Sequence, residues 1–183
     1  QKRFKQNALS HAVGPLFEIV NQLNAGSSLS TIPQGSDAPH EAFRGQLIQL
    51  NFLAGQQAKA ATAYAAALAY FQEANHLLSA ERWLSDYSQV LSLKCETIEA
   101  AYLSLNLAAV EPVVAEVLEN AHSLLDKIKV YEIQIQAAIG NNQLLDAVNQ
   151  GFDVLEQLGV TLLDPTEVTN NLPAVDSLES VNR

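Results

Sequence analysis

The sequence is poor in charge, and poorest in positive charge. Asp, Glu, Lys and Arg make up 16% of its 183 residues, against a usual share of about a quarter. Lys and Arg number ten against twenty Asp and Glu, a formal net charge of −10, and three of the ten (Lys2, Arg3, Lys5) crowd the first five positions. Phosphate backbones are bound by basic stripes, so this balance argues against nucleic acid and against an anionic membrane surface. The acidity itself favours solubility. Cysteine is almost missing. Cys95 has no partner within the chain, which fits a reducing, cytoplasmic setting; in an apolar-patterned helical run it is expected to be a buried small hydrophobe. No apolar run reaches the roughly 18 residues of a membrane span, and no secretory signal is present, so no membrane insertion is expected. The chain opens on Gln1 instead of Met and is therefore expected to be a piece of something longer.

Motifs of chemistry are missing too. There is no G-x-x-x-x-G-K-[ST] phosphate loop, no G-x-G-x-x-G and none of the protein-kinase signatures. His11, His40, His76 and His122 are dispersed, without an H-E-x-x-H or a Cys/His cluster. Neither catalytic residues nor a metal or cofactor site is therefore expected in this chain. His40-Glu41 is best explained by favourable charge in a helix first turn. Glu111, Glu116 and Glu119 look like a solvated face, whereas Glu96 and Glu99 are placed to pair with Lys94 or a neighbouring helix.

What remains is helical patterning. The organising stretch is GQQAKAATAYAAALAYFQEANHLL, Gly55 to Leu78, two apolar-faced segments meeting near Thr62-Ala63. Before it, Leu16, Phe17, Val20 and Leu23 share one face of a helix that opens near Pro15 and ends at Gly26. A Ser-rich loop spans 27–38, with Asp37 as N-cap of the next helix. That second helix should run from about His40 to Ala61, burying Phe43, Leu47, Leu50 and Ala54, with Gly55 admitting a close partner. A third helix is expected over Tyr64–Ser79. A fourth covers Glu81–Ser104, with Leu84 in its apolar set. The fifth covers Ala108–Leu125, its start delayed or kinked by Pro112. The sixth covers Asp126–Ile139 and the seventh Gln143–Leu158, closed by Gly159. No strand signal of any length occurs.

Three segments align. Small residues Ala58, Ala101 and Ala138 each precede a turn, and large residues follow six positions later at Tyr64, Leu107 and Leu144, in steps of 43 and 37. A tetratricopeptide unit is about 34 residues with a similar small-aromatic-Ala pattern, and HEAT-like pairs run about 40–47. The expected fold class is all-α, a right-handed tetratricopeptide-like helical-hairpin array of about seven helices forming an α-α superhelix. HEAT-like pairs and an irregular bundle remain the alternatives.

The run LNFLAGQQAKAATAYAAALAYFQEANHLL (Leu50–Leu78) resembles the helical-repeat region of large multidomain signalling proteins of cyanobacterial type. These join a serine/threonine kinase, an AAA-type ATPase, a GAF domain and a histidine kinase. LFEIVNQLNAG, EAAYLSLN, SLLDKIKVYEIQIQ and VLEQLGV extend the likeness over most of residues 16–160. Pro112 and the Ser-rich insert at 27–38 depart from the family pattern. The resemblance implies that kinase and ATP-binding motifs lie outside this chain. It also raises a phosphoacceptor role for His76 or His122, both expected on helices, but neither is followed by the acidic-polar-Pro text of a transmitter domain.

The expected division is 1–38 as the end of a preceding region plus linker, 39–160 as the repeat domain, and 161–183 as a tail or the start of a further helix. In such arrays the first helices of the pairs line a concave face, here Gln56, Lys59, Glu99, Tyr102, Glu132 and Gln136. The expected function is non-catalytic: an interaction and spacer module coupling kinase or ATPase domains to sensor domains of the same protein. A peptide-binding adaptor acting in trans is the alternative, and an enzyme is the competing class.

Overall fold

A computed structural model describes residues 14–26 and 38–160. The expected N-terminal tail, the 27–37 loop with its Asp37 cap, and the 161–183 tail lie outside the described residues. Among those described, every regular element is helical. Helix α1 (residues 14–26) leads to α2 (Ala38–Ala60), α3 (Tyr64–His76), the single turn α4 (Arg82–Ser85), α5 (Tyr87–Leu103), a 3₁₀ turn (Leu107–Ala109), α6 (Val110–Asn120), α7 (Leu124–Gly140) and α8 (Leu144–Gln157).

The long helices form hairpins, α2 with α3, α5 with α6 and α7 with α8. One turn geometry closes all three. Thr62, Leu105 and Asn142 each adopt a left-handed φ, of 59°, 60° and 61°. In each turn the next residue's N–H reaches back to the small residue of the preceding helix: Ala63 to Ala58 O at 2.9 Å, Asn106 to Ala101 O at 2.9 Å, Gln143 to Ala138 O at 2.8 Å. This is the Schellman arrangement, which satisfies helix-end carbonyls that would otherwise lack a partner. Ala58, Ala101 and Ala138 are all buried. They matter twice, as carbonyl acceptors for the turn and as side chains small enough for the two helices to converge above it.

Helix α5 is the hub, touching α3, α6, α7 and α2. One side of it (Leu93, Ala100, Ala101) closes a core with Ile48, Leu68 and Phe71 of the first hairpin. Its other side (Val90, Ile98) closes a second core with Trp83, Val114, Val117, Val130 and Ile133. Packing is tight at Gly55. A Cβ there would lie 2.6 Å from Cδ1 and 2.8 Å from Cζ of the fully buried Phe71, so the expected close approach is present and its partner is an aromatic ring. Helix α1 buries Val20, stacks Phe17 on Tyr70 at 5.6 Å, and exchanges two 2.8 Å amide hydrogen bonds between Asn24 and the buried Asn51.

Several expectations are corrected. The fourth helix is not continuous from Glu81 to Ser104, because Asp86 leaves the helical region (φ −131°, ψ 41°) and splits α4 from α5. Trp83 is thereby turned into the second core while Leu84 stands 88% exposed instead of joining the apolar set. The boundary between the fifth and sixth helices falls earlier. Helix α6 stops at Asn120, Ala121 is extended, and Ser123 caps α7 in a capping box with Asp126. In S-L-L-D the Ser hydroxyl and Asp carboxylate satisfy each other's backbone donors. Phe43 is exposed, and the buried face of α2 runs through Arg44, Leu47, Ile48, Asn51, Ala54 and Ala58. Pro112 behaves as expected, sitting in the first turn of α6 behind the 3₁₀ turn.

Candidate functional site

The first helices of the three hairpins, α2, α5 and α7, are neighbours in that order, and they are joined by a ladder of ion pairs. On α2, Lys59 Nζ meets Glu96 Oε2 and, at 3.2 Å, Glu99 Oε2, both on α5. From α7, Lys129 Nζ lies 3.5 Å from the same Glu99 oxygen and 3.3 Å from Glu132 Oε2. Glu96 and Glu99 thus pair with neighbouring helices, not with Lys94. Burial alone pushes the Lys59 ammonium down, but the hydrogen bonds and charges of Glu96 and Glu99 outweigh it and hold its pKa above the ordinary lysine value.

Of the six expected face residues, three, Lys59, Glu99 and Glu132, belong to this ladder. Tyr102 lies elsewhere, lining a cleft of about 270 Å³ with Val114, Ile133, Ala138 and Gln150. Gln56 is half-buried on α2 and Gln136 exposed on α7. The charges of the face are therefore spent on one another. A site for a peptide carboxylate needs an uncommitted cation, and Lys59 already serves two carboxylates.

A second polar cluster was not legible in the sequence. Lys94, 7% exposed, places its ammonium 2.6 Å from Glu116 Oε2, and the other Glu116 oxygen accepts from Trp83 Nε1 at 2.9 Å. Glu116 is thus not on a solvated face; it faces α5 and closes the second core. Nearby, Asn75 Nδ2 donates to Thr97 Oγ1 at 2.9 Å, and the Thr97 hydroxyl donates to Leu93 O at 2.7 Å. Both residues line a cleft of about 360 Å³ with Lys94, His76 and Pro112.

His122 is not on a helix. It sits in the α6–α7 turn, its ring stacked 3.8 Å from that of Tyr87 with 5° between planes. The Tyr87 hydroxyl accepts from His122 N–H at 2.9 Å and donates to Asp126 Oδ2 at 2.8 Å. Hydrogen bonds from Ser123 and Tyr87 keep the Asp126 carboxyl below the usual range. His76 is exposed at the end of α3. Cys95 is half-buried, not fully buried as expected, and burial pushes its thiol up, away from the reactive thiolate. At the start of α2, Glu41 bridges Arg82 (2.8 Å) and Arg44 (2.9 Å), and the Arg82 hydrogen bond lowers its pKa.

Among the described residues no group of three His, Cys, Asp or Glu side chains is placed to hold a metal, and no helix is long and apolar enough to cross a membrane. Compared with known proteins, the chain matches no family model, no curated protein and no solved structure.

Proposed function

We propose that this chain is a non-catalytic spacer and docking module, built as a tetratricopeptide-like array, that holds kinase or ATPase domains at a set distance from sensor domains within one signalling protein. The sequence likeness of residues 16–160 to such proteins motivates the context. The observation that carries the mechanical part is the Lys59–Glu96/Glu99–Lys129 ladder. Three hairpins with apolar seams alone could slide or splay. Charge pairs bridging α2 to α5 and α5 to α7 fix their relative register. A pair at the surface adds little stability, but the Glu99 carboxylate shared between the Lys59 and Lys129 ammonium groups defines one geometry. Spacing, not capture of a charged peptide, is what such a committed face does best.

The test measures rigidity directly. Spin labels at the exposed positions Gln49 on α2 and Asn149 on α8, in a Cys95→Ser background, should give one narrow distance distribution by electron–electron double resonance. Replacing both Glu96 and Glu99 with Gln should broaden it. A wide distribution in the parent chain would refute the spacer, and ATP turnover by the purified chain would refute the non-catalytic reading.

A further inference from the structure

Helix α8 carries a surface that its counterparts lack. Counting from the left-handed turn residue aligns the second helix of each hairpin. Three positions on stand Ala65 in α3, Ala108 at the head of α6 and Leu145 in α8; ten positions on stand Gln72, Ala115 and Phe152. Ala65, Ala108 and Ala115 are small and exposed, and Gln72 is polar, in two hairpins that each have another hairpin stacked beyond them. The position three on therefore faces outward even where the array continues, whereas six on Leu68 is buried and Glu111 exposed, and ten on Gln72 is half-buried against the second hairpin and Ala115 exposed. In α8 the positions three and ten on are Leu145, 73% exposed, and Phe152, 51% exposed, with Val148 between them at 50%. Only Ala147 of α8 is fully buried. Spaced i, i+3, i+7, the three large side chains make one stripe along the helix. A further hairpin stacked as the second stacks on the first would cover Val148 and part of Phe152 but leave Leu145 exposed, and large apolar side chains contiguous on a surface mark a docking site.

Charge says what docks. Glu156, Asp153 and Asp146 run along one edge of the stripe, and residues 130–160 contain no Lys or Arg. A second copy of the chain would set acidic edge against acidic edge. Residues 161–183 carry Asp164, Glu167, Asp176 and Glu179 against Arg183 alone, so they are the wrong sign as well. We infer that the α8 stripe receives an amphipathic helix of a partner protein, apolar along one face and bearing Lys or Arg along its edge. This mode lays apolar anchors at i, i+3, i+4 and i+7 against a complementary helix face, and the acidic rim selects the partner and its orientation. The inference deepens the docking half of the proposed function.

Two fluorescein-labelled peptides of about five helical turns share a Leu stripe and differ only in carrying Lys or Glu along its edge. Fluorescence anisotropy with the whole chain, at about 50 mM NaCl where rim charges are weakly screened, should show the Lys peptide binding about tenfold or more tightly than the Glu peptide. Leu145→Gln with Phe152→Gln should weaken it about tenfold or more while leaving the far-UV circular dichroism unchanged, because both side chains are exposed. Asp153→Lys with Glu156→Lys should reverse the preference and keep the apolar stripe. No binding of the Lys peptide, equal binding of both peptides, or binding indifferent to the Leu145/Phe152 pair would overturn the inference. So would sedimentation of a dimer that Phe152→Gln dissociates. None of these outcomes touches the spin-label distances, so the spacer reading stands or falls separately.

Discussion

Gly55 and Gly45 lie in the same helix, and replacing each with Ala should move stability in opposite directions. Ala for Gly in a helix interior is worth about 1 kcal/mol by propensity alone. At Gly45 a new Cβ meets only the Arg82 guanidinium, 3.4 Å away at the end of a flexible side chain, so most of that gain should survive, about 0.5–1 kcal/mol. At Gly55 the same atom falls 2.6 Å from Cδ1 of Phe71, a ring with no exposed surface and no room to swing aside. Overpacking a filled core costs about 1–3 kcal/mol, and this contact belongs near the top of that range. The net for Gly55→Ala is a loss of about 1–2 kcal/mol, or a Tm about 3–8 °C lower. Urea denaturation followed by circular dichroism measures both. Phe71→Leu should cost about 1–2 kcal/mol by itself, yet the double variant should fall short of the sum by about 1 kcal/mol, since a smaller side chain admits the new methyl. If Gly55→Ala proves as stable as the parent, α2 and α3 do not converge there and the packing described is wrong.

Leu105 holds a left-handed φ of 60° and is 84% exposed; Leu105→Gly should relieve about 1 kcal/mol of strain and, after the added unfolded-state entropy, leave the chain slightly more stable in urea. Glu116→Ala strands the buried Lys94 ammonium and should cost about 2–3 kcal/mol, whereas Lys94→Met with Glu116→Ala should recover much of it; Trp83 fluorescence reports both, since its N–H loses the Glu116 acceptor. Asp126 has a folded pKa below its ordinary 3.8, so its contribution is complete above that value and is lost as pH falls through the folded pKa. Asp126→Asn should therefore flatten the stability–pH curve below about pH 4. Lys59 is the mirror case. Its folded pKa lies above 10.5, so its contribution is present below that pH and lost above it, and Lys59→Met should flatten the alkaline limb of a thermal-denaturation series.

Turn positions were legible because they rest on local chemistry. Small residues before the turn, large ones after it and the Gly159 stop all constrain a few consecutive residues. The left-handed φ at Thr62, Leu105 and Asn142 falls where the segment alignment places it. The Ser123–Asp126 capping box is equally local, but apolar periodicity runs across it without a break and hides it. Asp86 is different. The sequence around it reads as unbroken helix, and the break exists because Trp83 gains a buried seat and a Glu116 hydrogen bond from α6, residues distant along the chain. Likewise only three of the six expected face residues share the ladder. Helical spacing says which side chains lie on one face of a helix, but not how far neighbouring helices are rotated toward one another.

From its residues alone, this chain was bound to be helical, punctuated at Thr62, Leu105 and Asn142, and devoid of phosphate-loop or metal-binding text, because propensity, turn chemistry and motif spacing act over a few positions. Only the tertiary structure decided that Lys59 and Lys129 would share the Glu99 carboxylate, that Glu116 would neutralise a buried ammonium, and that Leu145, Val148 and Phe152 would stay uncovered. Those outcomes depend on how each hairpin is rotated against the next, and that rotation is set by the summed packing of many side chains, a quantity no single stretch of sequence contains.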